Sequence, residues 1–262
     1  MSSSGTKKEA SLQANENLNP YSVKAMIFAA GLGTRLHPLT QFKPKALVEL
    51  NGKTLLEIAI TNLLSFGCRK IVVNVHHYAG ELIMFLKNHK NFGAEIFISD
   101  ESDLLLDTGG GLKKARKFLE GDEAFIVHNV DILSDVDIHE FIRIHTSGQD
   151  GRIATLMVNS RDSNRVFLVD QNDKLCGWKN FRSGEERISV PSDSLNPVSF
   201  CGIQVIEPSI FKLIELEGVF SMVDLYLNLC KNNKIVCWKN DESKWMDVGT
   251  IENLSQAEKT FF

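Results

Sequence analysis

Residues 29–45 read AAGLGTRLHPLTQFKPK, which places two glycines, one arginine and two lysines between two apolar runs. The run before it, VKAMIFAAG over 23–31, has strand length and ends in glycine. Glycines at a strand end let the chain turn sharply and bring backbone N–H groups close to an anion, because no Cβ intervenes. A dinucleotide fingerprint needs a third glycine where Leu36 stands, and no helical pattern starts directly afterwards. A Gly-Lys-Ser/Thr phosphate loop is also absent. What remains is a long loop carrying Arg35, Lys43 and Lys45, with Pro38 and Pro44 limiting its freedom. Arg35 can grip phosphate oxygens through its planar fork, while a lysine supplies a compact mobile charge. Each residue alone reads as an ordinary turn or a solvated charge; their combination in one loop points to an anion.

Working outward, KTLLEIAITNLLSFG (53–67) has helical spacing, KIVVNVH (70–76) reads as a buried strand and YAGELIMFLKNH (78–89) as a helix. AEIFIS (94–99) is a strand, TGGGLKKARKFLEG (108–121) a glycine-opened helix, and AFIVHNVD (124–131) another strand. Strands alternating with helices of this length predict a parallel sheet covered on both faces. After DVDIHEFIRIHTSG (135–148) the pattern changes. Short strands are expected at 152–158, 165–170 and 174–178 and a longer one at 197–207, followed by helical segments at 208–216 and 220–231, a strand at 234–238 and a final segment at 250–262. This half predicts a mixed sheet grown onto the parallel core. Residues 1–22 lack an apolar centre and read as a disordered tail.

The 262 residues suffice for one large α/β domain, and 43% hydrophobic with 24% charged residues fits a globular chain. A formal charge of −4 argues against general nucleic-acid or membrane-surface binding, so any polyanion site must be a local cluster of cations. No apolar run approaches the ~18 residues of a membrane span. Five cysteines without CxxC spacing suit reduced thiols, hence a cytoplasmic expectation.

Two acids suit a divalent cation. Asp131 closes its strand at the carboxyl edge of the sheet, where ligands bind, and Asp247 lies isolated in KWMDVGT. Magnesium takes one or two carboxylates and fills its shell with water and phosphate oxygens. Each acid alone is as readily a turn residue. His76 and His77 lack a third ligand at suitable spacing. The DTGGGLKKA stretch (107–115) either binds an anion at a helix start or admits a flat base against bare backbone.

Taken together, AAGLGTRL (29–36), FKPKALV (42–48), DTGGG (107–111), NVD (129–131) and WMDVGT (245–250) resemble the sugar-1-phosphate nucleotidyltransferase family, and most of all the N-acetylmuramate-1-phosphate uridylyltransferases of cell-wall recycling. The resemblance implies a Rossmann-like three-layer α/β/α sandwich with a mostly parallel mixed sheet. It implies a single domain over 23–262, with a nucleotide-binding half at 23–134 and a sugar-binding half at 135–262, acting as monomer or homodimer. The implied reaction joins a nucleoside triphosphate, UTP by preference, to a sugar 1-phosphate with release of pyrophosphate. Backbone at Ala30, Gly31, Gly33 and Thr34 would hold the nucleotide, and Gly109 and Gly110 would pack against the base. Arg35 would neutralise pyrophosphate, Lys45 the α-phosphate, and Asp131 with Asp247 would hold Mg²⁺. From their loop positions, rather than from the resemblance, Glu101, Asn180 and Asp224 are the expected sugar contacts. Val130 departs from the family's glycine before the metal aspartate and is expected to crowd the nucleotide. Guanylyl transfer to mannose or heptose 1-phosphate, cytidylyl transfer to phosphocholine, and a non-catalytic NDP-sugar-binding regulatory subunit are the alternatives.

Overall fold

The computed structural model describes residues 23–148 and 150–262; the expected tail at 1–22 lies outside the described residues. Among the described residues fourteen strands occur in chain order: β1 Lys24–Phe28, β2 Glu49–Leu50, β3 Lys53–Thr54, β4 Lys70–Val75, β5 Glu95–Asp100, β6 Phe125–Asn129, β7 Ile132–Ser134, β8 Arg152–Asn159, β9 Arg165–Val169, β10 Leu175–Asn180, β11 Glu186–Ile188, β12 Asn196–Ile206, β13 Lys234–Lys239 and β14 Trp245–Asp247. The α-helices are α1 Leu55–Ser65, α2 Ala79–Asn88, α3 Asp107–Lys114, α4 Arg116–Leu119, α5 Ile138–Ser147, α6 Met222–Leu229 and α7 Ile251–Phe261.

Ten strands form one sheet in the order β11-β10-β9-β12-β6-β1-β4-β5, with β8 and then β13 added beside β12. From β6 to β5 all pairings are parallel, as the alternation of strands and helices requires. Beyond β6 the pairings are antiparallel except that of β13 with β8, which is parallel, and β12 joins the two parts: residues 203–206 pair with β6, and residues 196–198 pair with β9. Between Phe200 and Gln204 its register against β8 shifts, and Gly202 sits there at φ +75°, where a side chain would be strained.

Side chains alternate across the sheet. On β1, Ala25 and Ile27 join the apolar layer under α1, α2, α5 and α7, whereas Met26 and Phe28 join the one under α3, α4 and α6. The result is a three-layer α/β/α sandwich with a core on each face. Among the described residues, no helix is long and apolar enough to cross a membrane.

Local details depart from the sequence expectations. The single helix expected over 108–121 breaks at Ala115, whose carbonyl accepts a tighter i→i+3 bond from the Phe118 N–H. The segment 208–216 forms only the 3₁₀ turn Pro208–Lys212, closed by i→i+3 bonds. Helix α6 starts at Met222 because Ser221 and Asp224 form a reciprocal capping box.

Candidate active site

Strand β1 delivers the chain to a loop that its neighbours then shape. In the parallel register Phe28 lies opposite Asn74 on β4. Asn74 Oδ1 accepts from the N–H of Ala29 at 2.6 Å and of Ala30 at 3.3 Å. Asn74 Nδ2 donates to Glu101 Oε1 at 2.8 Å, and the Leu106 N–H donates to Glu101 Oε2 at 3.2 Å. Glu101 is fully buried, and that burial pushes its carboxyl above the ordinary value. Glu101 therefore fixes Asn74, and Asn74 fixes the start of the loop. Together with Phe28, Ala30, Gly31, Leu105, Asp107 and Thr108 they line a cavity of about 270 Å³.

The loop then folds back on itself. Gly33 adopts φ +67°, and a Cβ there would lie 2.8 Å from the Lys45 Cβ, so glycine allows Lys45 to close against the loop. Thr40 Oγ1 holds the fold by donating to the Gly33 carbonyl at 2.9 Å. Thr34 and Arg35 are exposed on the 3₁₀ turn Thr34–Leu36. Gly31, by contrast, has no atom within 4 Å of an added Cβ.

Across from the loop stands the two-stranded ribbon of β7 and β14, in which Asp247 pairs with Ile132, the residue after Asp131. The Val248 N–H donates to the Asp131 carbonyl at 2.9 Å. Lys45 Nζ lies 2.5 Å from Asp131 Oδ2. Arg35 lies 3.6 Å from that same oxygen and 3.3 Å from Asp247 Oδ2. The four residues read from the sequence as phosphate and metal ligands, 212 positions apart at their extremes, thus meet in one place. Gly249 completes it: a Cβ there would lie 2.5 Å from Arg35 Nη2, 2.7 Å from Asp247 Oδ1 and 2.9 Å from Asp131 Oδ2. Two carboxylates facing a phosphate-sized set of cations match what magnesium asks of a protein when water and phosphate supply the rest. Among the described residues no group of three or more His, Cys, Asp or Glu forms a closed metal cage.

A second cavity, of about 580 Å³, shares Asp107 with the first and is lined by Arg161, Arg165, Arg187, Trp178, Phe200 and Asp224 among others. Asp224 caps α6 through Ser221 and pairs with Arg187 at 2.8 Å. Burial opposes ionisation of Asp224, but the bonds from Ser221 and Arg187 outweigh it and hold the carboxyl below its ordinary value.

Several expected site residues have other surroundings. Asn180 Oδ1 accepts from the N–H groups of Arg182 and Ser183, tying the turn between β10 and β11, and it lines neither cavity. Gly109 and Gly110 both donate their N–H groups to the Phe220 carbonyl. An added Cβ would lie 2.5 Å from the Phe220 ring at Gly109 and 2.6 Å from the Gly218 carbonyl oxygen at Gly110. Their bareness docks α3 onto residues 218–221. Val130 is buried in the core and donates its N–H to the Phe28 carbonyl, so its side chain does not crowd the cavity. Glu101 acts from beneath the first cavity, through Asn74. The sequence reading missed Asn74, Arg161 and Gly249. A lone asparagine in the apolar run KIVVNVH was a usable signal for the first; nothing in the sequence marked Arg161.

Comparison with known proteins adds to this geometry. The Nucleotidyl transferase family matches residues 24–174. The UTP--glucose-1-phosphate uridylyltransferase of Synechocystis sp. is 28% identical over 90% of this chain, which spans 62% of that protein's length. The N-acetylmuramate alpha-1-phosphate uridylyltransferase of Caulobacter vibrioides is 30% identical over 89% of this chain and 95% of its own. Among solved structures, HddC from Yersinia pseudotuberculosis shares the fold with a TM-score of 0.72 at 21% identity, covering 92% of this chain and 100% of that one.

Proposed function

Because the chain belongs to the Nucleotidyl transferase family, we propose that it transfers a nucleoside monophosphate from a nucleoside triphosphate to a sugar 1-phosphate. An oxygen of the sugar phosphate attacks the α-phosphorus, the α–β phosphoanhydride bond breaks, and pyrophosphate departs with the electron pair. No group of the protein needs to become covalently attached. Transfer of this kind asks chiefly for positioning and charge neutralisation.

The observation that carries the reading is the convergence of Arg35, Lys45, Asp131 and Asp247. Asp131 and Asp247 would hold Mg²⁺, which when bound neutralises charge on the phosphate oxygens. Lys45, half-buried and fixed by the closing of the loop on Gly33, would face the α-phosphate. Arg35, exposed and long, would follow the departing pyrophosphate. The cavity beside Gly31 and Asn74 would take the nucleoside, and the larger cavity the sugar. The roles of these residues rest on their positions.

Uridine is the favoured base, supported by the uridylyltransferase that this chain matches along 95% of its length. An N-acetylmuramate 1-phosphate acceptor, and with it a place in cell-wall sugar metabolism, draws on the same relative. Guanylyl transfer is the competing chemistry. A purely regulatory NDP-sugar binder would have no use for both acids and the leaving-group arginine. Five free, buried thiols are consistent with a reducing compartment such as the cytoplasm.

The test is pyrophosphate release by purified protein with Mg²⁺ across a panel of UTP, GTP, CTP and ATP against several sugar 1-phosphates. Release with UTP and one acceptor is expected. No release with any pair would sink the reading.

A further inference from the structure

The larger cavity contains an arginine whose surroundings ask for a ligand. Of the three arginines that line it, Arg187 is paired with Asp224 and Arg165 is exposed at the edge. Arg161 is half-buried and, among the described residues, every group its guanidinium touches directly is neutral. Its Nη1 donates to Asn159 Oδ1 at 2.6 Å and its Nη2 to the Phe200 carbonyl at 2.5 Å. The guanidinium lies over the Trp245 ring, 3.7 Å from its centroid. Trp245 Nε1 in turn donates to the Cys201 carbonyl at 2.7 Å.

Withdrawing a guanidinium from water without an opposing carboxylate is unfavourable, and an anion arriving in the cavity would offset that. Burial accordingly acts against the charged form of Arg161 and lowers its pKa, opposed in part by the Cys201 sulfur and, less, by the Asp247 carboxylate. Arginine stays protonated in such a setting, so the outcome is a fixed positive charge with no carboxylate in direct contact. The Nε–H makes no hydrogen bond to any described residue. The location is as telling as the charge. Trp245, on which the guanidinium stacks, precedes Asp247 by two residues on β14, so Arg161 stands where the acceptor cavity meets the acid ribbon.

We propose that Arg161 binds the phosphate of the acceptor and holds its attacking oxygen beside the ribbon that carries Asp131 and Asp247. This rests on the nucleotidyl-transfer reading above. The clamps from Asn159, Phe200 and Trp245 orient the guanidinium before the ligand arrives, which reduces the ordering penalty of binding. Arg165, lining the same cavity without such clamps, contributes long-range attraction and little positioning.

The experiment compares wild type with Arg161→Gln, Arg161→Lys and Arg165→Gln. Steady-state kinetics use the substrate pair found in the panel, and a second arm, independent of turnover, follows binding of inorganic phosphate by tryptophan fluorescence, since Trp245 and Trp178 adjoin the cavity. Arg161→Gln should raise the acceptor KM by about tenfold or more, the worth of a charge-assisted bond, with the NTP KM unchanged and the phosphate response lost. Arg161→Lys should recover part of both, and Arg165→Gln should shift the acceptor KM less. An unchanged acceptor KM in Arg161→Gln would overturn the proposal. So would equal rises in both KM values with Arg161→Lys no better than Gln, the mark of a purely structural tie. If wild type turns over no pair, the nucleotidyl-transfer reading fails by itself, and the phosphate arm still decides on Arg161: retained binding in Arg161→Gln contradicts the role, and lost binding supports it.

Discussion

The two cavities meet at Asp107 and are built in different ways. The smaller one lies at the ends of parallel strands β1, β4 and β5, and its wall combines the backbone of Ala30 and Gly31 with apolar side chains such as Phe28 and Leu105, held from below by the buried Asn74 and Glu101. The larger one is walled by antiparallel strands and by long side chains, three of them arginines. Parallel strands bring their carboxyl ends together by topology alone, so short loops suffice to present N–H groups and charges there. Hairpins offer no such convergence, and reach must come from the side chains themselves. Substitutions should therefore act sterically on the first side and through charge on the second.

A large expected effect separates two glycines near the loop at 29–45. Gly249→Ala would push a Cβ to within 2.5–2.9 Å of Arg35, Asp247 and Asp131. Displacing those groups by a fraction of an ångström should lower turnover by about 10²-fold, with circular dichroism unchanged. Gly31→Ala meets no atom within 4 Å and should leave the Tm unchanged; because Gly31 lines the cavity, the NTP KM should rise moderately. Equal effects of the two substitutions on turnover would break the steric account of this side.

A smaller effect concerns acid stability. His128 on β6 is buried, its Nδ1 bonds the Asn129 carbonyl, and its Nε2 has no partner among the described residues. Burial holds its pKa down to about 4, from 6.5. Between these values the unfolded chain takes up a proton that the native chain refuses, so stability present above pH 6.5 is lost as pH falls toward 4, by about 2 kcal/mol at pH 5. Beside the larger cavity, Asp224 is held below the ordinary carboxylate value, and its contribution is lost only at lower pH. Denaturation midpoints from pH 7 to 5 should fall less steeply in His128→Gln than in wild type; parallel slopes would show that His128 is not the group that first feels acid.

The same contrast explains what the sequence made legible. Arg35 and Lys45 sit in a glycine-bearing loop after a strand, and Asp131 ends another strand of the same sheet, so strand-end logic places them together. Asp247 needed its motif, because β7 and β14 have three residues each and are too short to display alternation. Gly109 and Gly110 were visible as bare positions, but periodicity does not say what covers a bare helix face, and here it is Phe220 and Gly218. The loop position of Asn180 suggests a ligand contact, but its own backbone neighbours occupy it. Arg161 depends on a register between β8 and β12 and on a ring from β14, relations that no local spacing encodes.

Pyrophosphate release by Asp131→Ala at saturating Mg²⁺ tests most directly whether the loop at 29–45 and the acid ribbon act as one site. With the fold intact by circular dichroism, turnover should fall by about 10²-fold or more, as when a charge-stabilising group is removed from a transition state. Turnover equal to wild type would take Asp131 out of the reaction and separate the loop from the ribbon.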